Sequence, residues 1–123
     1  MQRIIGLALV FGNICFADAI IDGRANFSRG NIKKARVILE EELKRKPSPY
    51  LLFLLAECYQ KEGRIAEYEK INLAGCPPFY EQIKQGLWYL YQGSYTLAYS
   101  SFEKVKPESA YSLVGMGLAR KAE

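Results

Sequence analysis

Five positions recur along this chain at fixed offsets, and that recurrence limits the fold more than any other feature. Gly86, Tyr89, Gly93, Ala98 and Phe102 stand at 0, +3, +7, +12 and +16. Gly23, Asn26, Gly30, Ala35 and Leu39 occupy the same offsets upstream, with Pro47 eight residues further on. Ala56, Tyr59, Gly63, Tyr68 and Asn72 fill them in between, so the steps are 33 and 30 residues. Self-similarity at such a period means stacked supersecondary units, none of which buries its apolar face alone.

The residue types explain the spacing. Gly or Ala at most of the 0 and +12 positions lets two antiparallel helices approach closely. The +3 residue lies one turn along the same face. Glycine at +7 ends the first helix, because a left-handed residue is cheapest without a Cβ. The +16 residue, one turn after +12, sends Leu39 or Phe102 between the helices. Pro47 and Pro107 close the second helices. The spacing predicts helices over 20–29, 32–46, 49–62, 64–74, 78–92, 95–105 and 108–121, and an all-α fold with no strands. Glu40, Glu41 and Glu42 before Lys44, Arg45 and Lys46 offer i,i+4 pairs on an exposed face.

At 123 residues the chain is one domain's worth, and half of its residues are hydrophobic. Lys and Arg number 17 against 13 Asp and Glu, a net charge of +4. The two basic clusters, at 33–36 and 44–46, read as solvated helix faces or cations near a helix C-terminus, not as a nucleic-acid surface. Histidine is absent, which removes Ser-His-Asp and Cys-His catalysis and every histidine-based metal site. No cofactor is expected.

Residues 1–19 have the layout of a secretory signal peptide. Arg3 gives a basic start, an apolar run follows from Ile4 to Phe16, and Ala17-Asp18-Ala19 supplies an A-x-A cleavage pattern. The run is shorter than the ~20 residues of a permanent span. The expectation is a leader over 1–19 and a repeat domain over 20–123, hence a periplasmic or secreted protein. The alternatives are a cytoplasmic protein that folds this segment as a first helix, or an uncleaved anchor. Loss of the leader removes Cys15 and leaves Cys58 and Cys76, an even pair for which a disulfide stays open. Cys58 is expected mid-helix and Cys76 in a loop, a geometry that could forbid the bond.

On Gly86, Tyr89, Gly93, Ala98 and Phe102, and their counterparts around Gly23–Leu39 and Ala56–Gly63, the chain resembles the tetratricopeptide repeat family. It departs at Asn26, where tyrosine is usual, and at Tyr68, where a small residue is usual. The resemblance implies a right-handed superhelix of antiparallel hairpins, about three repeats plus a capping helix, with the first helices lining a concave groove. Carried over by position, the groove residues are Arg24 and Phe27, then Tyr50, Phe53, Glu57 and Gln60, then Tyr80, Ile83, Leu87, Leu90 and Tyr91. Trp88 is read as packing between helices.

The resemblance also implies protein or peptide binding without catalysis. Phe53 and Ile83 stand where members that clamp a C-terminal carboxylate carry lysine, so that subtype is not expected. The expected function is an exported protein–protein interaction module or scaffold, with an apolar, aromatic groove supplying the anchors. The alternative is a cytosolic adaptor or co-chaperone. The groove could also be filled by the terminal helix or by a second copy.

Overall fold

The computed structural model describes residues 19–105 and 110–122. Of the expected leader over 1–19, residues 1–18, Cys15 among them, lie outside the described residues, as does Pro107, while Ala19 opens α1. The described secondary structure is all helical: α1 (residues 19–28), α2 (Ile32–Arg45), α3 (Pro49–Lys61), α4 (Ile65–Tyr68), α5 (Phe79–Tyr91), α6 (Tyr95–Glu103) and α7 (Ala110–Ala122).

The five-position template has a direct structural meaning. Gly30, Gly63 and Gly93 have φ of 86°, 71° and 85°, and each closes a helix in the same way. The glycine N–H donates to the carbonyl three residues back, and the next N–H donates to the carbonyl five residues back. Asn31 thus reaches Asn26 at 2.8 Å, Arg64 reaches Tyr59 at 2.8 Å, and Ser94 reaches Tyr89 at 2.9 Å. These are Schellman closures, which satisfy the last carbonyls of α1, α3 and α5. The +3 residue is therefore fixed twice, by its side chain against the core and by its carbonyl in the turn.

In the first and third units the 0 and +16 residues touch. A Cβ on Gly23 would lie 2.7 Å from Leu39, and one on Gly86 would lie 2.7 Å from Phe102. Each contact pairs positions at similar distances on either side of a turn, as antiparallel helices require. Ala35 and Ala98 at +12 are fully buried, as are Leu39 and Phe102 to within 1%. One more step of 33 from Gly86 reaches Ala119, also fully buried on α7. The terminal helix thus extends the register Gly23, Ala56, Gly86, Ala119. Phe102 packs between α5 and α7, since a Cβ on Gly115 would come within 2.5 Å of its ring.

The middle unit breaks the pattern. A helix over 64–74 is expected, yet α4 is a single turn ending at Tyr68. Tyr68 is fully buried at the position where the other units carry alanine, and its ring meets Tyr59 edge-on at 6.0 Å. A ring in that place blocks the close approach a second helix needs. Downstream, the Asn72 side chain accepts from the Ala74 N–H at 2.9 Å, a local bond that competes with helix formation. The Lys84 ammonium donates to the Ile71 carbonyl at 2.9 Å, tying this non-helical segment to α5. With no full second helix in between, α5 packs directly on α3.

A polar network joins the first two units. Arg36 Nε donates to Glu62 at 2.6 Å and its Nη1 to Glu40 at 3.0 Å, while the Tyr59 hydroxyl donates to the other Glu40 oxygen. The guanidinium also lies over the Tyr59 ring, 5.6 Å from its centre. Burial first, and then the bond to Glu40, push the Tyr59 hydroxyl up to about 12. The acidic run on α2 differs from expectation. Glu42 is buried and takes two bonds from Arg45, at 2.7 and 2.8 Å, one turn away at i,i+3. Glu40 pairs backward with Arg36, so one exposed i,i+3 contact remains, Lys44 to Glu41 at 3.7 Å. α3 starts where Ser48 accepts from the Tyr50 N–H at 3.3 Å and Pro49 takes the first helical position.

Candidate functional site

A mainly apolar pocket of about 560 Å³ opens between α1, α3 and α7. It is built from three helix faces whose orientations the core contacts fix. Gly23 against Leu39 sets α1. Leu52 and Leu55, both fully buried, hold α3 from behind. Phe102 against Gly115 seats α7. On the open side, α1 contributes Arg24 and Phe27, α3 contributes Tyr50, Phe53 and Glu57, and α7 contributes Tyr111, Val114 and Leu118. The Phe53 ring bridges the walls, 6.1 Å from Tyr111 and 6.5 Å from Phe102 between ring centres.

Five of the expected groove residues therefore come together: Arg24, Phe27, Tyr50, Phe53 and Glu57. Gln60 is exposed and lines no part of this pocket. The expected third-unit residues lie elsewhere. Tyr80, Ile83, Leu87 and Leu90 are buried, Ile83 and Leu87 completely. Tyr91 is half-buried against the core, and its hydroxyl is pushed up to about 12, first by burial and then by the Glu57 charge. This face of α5 is core because α5 packs on α3, α6 and α7. Trp88 is half-buried against the same core, with its Nε1 buried and unpartnered.

Tyr111, Val114 and Leu118 were not anticipated. Val114 and Leu118 form an i,i+4 apolar pair on α7. Both stay exposed, as does Leu113.

The electrostatics of the pocket centre on Glu57. Glu57 is exposed overall, yet partial desolvation beside the apolar wall outweighs the pull of Lys61 and Arg24 and holds its carboxyl above the usual carboxylate range. Cys58 lines the same pocket on its core side, while Cys76 lines a separate cleft of about 770 Å³ beside α2. Both are free thiols, so the disulfide left open by the sequence is not formed in this structure. The Cys58 thiol is pushed up to about 12 by burial, with the Glu57 and Glu62 charges adding to it.

Among the described residues no group of three or more Cys, Asp or Glu could hold a metal ion. No described helix is long and apolar enough to cross a membrane. No family model, no curated protein and no solved structure matches the chain.

Proposed function

We propose that this chain is an exported, non-catalytic interaction module of the tetratricopeptide type, which binds a protein or peptide partner in the pocket between α1, α3 and α7. The observation that carries the reading is the pocket's lining. Four aromatic rings and three aliphatic side chains from three helices line one opening, and the fold leaves them partly or largely exposed. Aromatic side chains give large contact area at low conformational cost, which suits them to anchor a partner. The repeated Schellman closures and the small-residue contacts support the family assignment, and the apolar leader with its A-x-A end supports export. The terminal helix forms one wall of the groove instead of filling it, which favours a foreign partner over self-occlusion.

The test is site-specific photo-crosslinking in cells. A photoreactive phenylalanine at Tyr50 should capture a discrete partner, and one at the exposed Glu103 should not. Capture from Glu103 with none from Tyr50 would remove the pocket as the binding surface. Intact mass of the captured chain reports export, with a start at residue 20 or 18 expected in place of Met1.

A further inference from the structure

We infer that residues 69–76 form a strap that opens as a unit while the helices around it stay folded, and that the buried Lys84 ammonium is the latch that holds it shut. The inference does not depend on the groove between α1, α3 and α7.

The strap is bounded at both ends. Before it, the Tyr68 ring is fully buried where α4 ends. After it, the Pro77 and Pro78 carbonyls accept from the Tyr80 and Glu81 N–H groups at 3.0 and 3.1 Å, so the chain rejoins the fold through the first turn of α5. Between these points the backbone is tied mainly to itself. The Lys70 and Ile71 N–H groups reach back three residues, to Glu67 and Tyr68. The Ala74 N–H donates to the Asn72 side chain. The Cys76 N–H donates to the Leu73 carbonyl at 3.0 Å, across a turn in which Gly75 has φ of 87°. Among the described residues, one hydrogen bond joins the strap to α5, from Lys84 Nζ to the Ile71 carbonyl at 2.9 Å, and none joins it to α2 or α3.

Side chains add few further ties. Leu73 is buried, Ile71 and Cys76 are half-buried, and the other five are exposed. Few buried side chains and self-contained backbone bonds mark a segment that opens at low free energy, ahead of the helices beside it. The Lys84 bond is therefore the strongest single restraint, because a charged donor bonds about twice as strongly as a neutral one. The strap also walls a cleft. Residues 70–74 and Cys76 line the opening of about 770 Å³ together with Val37, Glu41 and Lys44 of α2. Opening the strap withdraws that wall, so the latch sets the width of the cleft.

Two thiols of the full chain report the two kinds of opening. Cys76 lies in the strap and Cys58 is buried in α3. Labelling of each by iodoacetamide is followed on the proteolytic peptides, across urea concentrations below the unfolding transition. Cys76 should label at a rate nearly independent of urea, since freeing a short strap exposes little surface, while the Cys58 rate should rise steeply. Lys84→Met should raise the Cys76 rate without urea by about tenfold or more, the loss of one bond from a charged donor. A Cys76 rate that climbs with the same urea slope as Cys58 would show that the strap has no opening of its own, a result that needs no variant to fold. A Cys76 rate unmoved by Lys84→Met would remove Lys84 as the latch.

Discussion

Gly86 stands so close to Phe102 that a methyl group placed on it would meet the ring at 2.7 Å. The ring cannot yield, because Gly115 on α7 confines its other face at 2.5 Å by the same measure. One aromatic side chain thus fastens α5, α6 and α7 together, and Gly23 against Leu39 repeats the arrangement between α1 and α2.

The first prediction contrasts two glycines. Gly86→Ala gains up to about 1 kcal/mol of helix propensity but overpacks the Phe102 site at a cost of roughly 1–3 kcal/mol. A net fall in stability is expected. Gly117→Ala, also within a helix and with nothing within 4 Å of its would-be Cβ, should instead stabilise by roughly 0.5–1 kcal/mol. Thermal or urea unfolding of the pair checks the signs.

Gly63 tests the turn. Its φ of 71° is left-handed and no atom lies within 4 Å of an added Cβ, so any cost of Gly63→Ala is backbone strain alone. A loss of roughly 1–2 kcal/mol is expected. A D-alanine at the same position, introduced by semisynthesis, should be tolerated.

Arg36 tests the polar network. Its side chain and that of Glu62 are nearly buried, 11% and 15% exposed. Arg36→Met leaves Glu40 without its cation and Glu62 with only the 3.6 Å contact to Arg64, and should cost roughly 3 kcal/mol. Adding Glu62→Met should recover part of that loss, since an apolar pair carries no desolvation penalty. A double-mutant cycle by urea unfolding measures the coupling.

Glu57 gives a pH dependence of defined sign. A carboxyl held above its usual range binds its proton more tightly in the folded state than in the unfolded one. Its stability contribution is therefore largest below the ordinary carboxylate pKa of about 4.3 and declines as pH rises through the folded value. Glu57→Gln should thus gain stability relative to the parent between pH 4 and neutrality. Unfolding curves of the two proteins across that range test the direction.

The cysteines differ in reach. Cys58 is buried with its thiol pushed up to about 12, and Cys76 is half-buried in a loop. Iodoacetamide at pH 8 should label Cys76 well before Cys58 under native conditions, read on the proteolytic peptides. Equal rates would show that α3 opens readily.

Much of this architecture was legible in the sequence because each template position has one physical job. Glycine at +7 forms a left-handed turn, a small residue at 0 admits a large one at +16, and alanine at +12 lies flat. Those jobs are local and leave a residue-type signature. What the sequence hid lies in the middle unit and beyond it. Tyr68 sits buried in a small-residue position where α4 ends after a single turn, and Tyr80, Ile83, Leu87 and Leu90 lie in the core of an α5 packed on α3, α6 and α7. The α7 wall was hidden for a related reason. Tyr111, Val114 and Leu118 become a pocket wall only through where α7 docks, and that docking rests on the contact of Phe102 with Gly115, which no position of the template specifies.

The central claim is that α7 closes one side of a pocket floored by α3. The most direct measurement is the nuclear Overhauser contact between the ring protons of Phe53 and Tyr111, whose centres lie 6.1 Å apart. The account predicts a clear cross-peak between them, alongside one from Phe53 to Phe102. A Tyr111 ring with contacts to α6 alone, and none to Phe53, would contradict it.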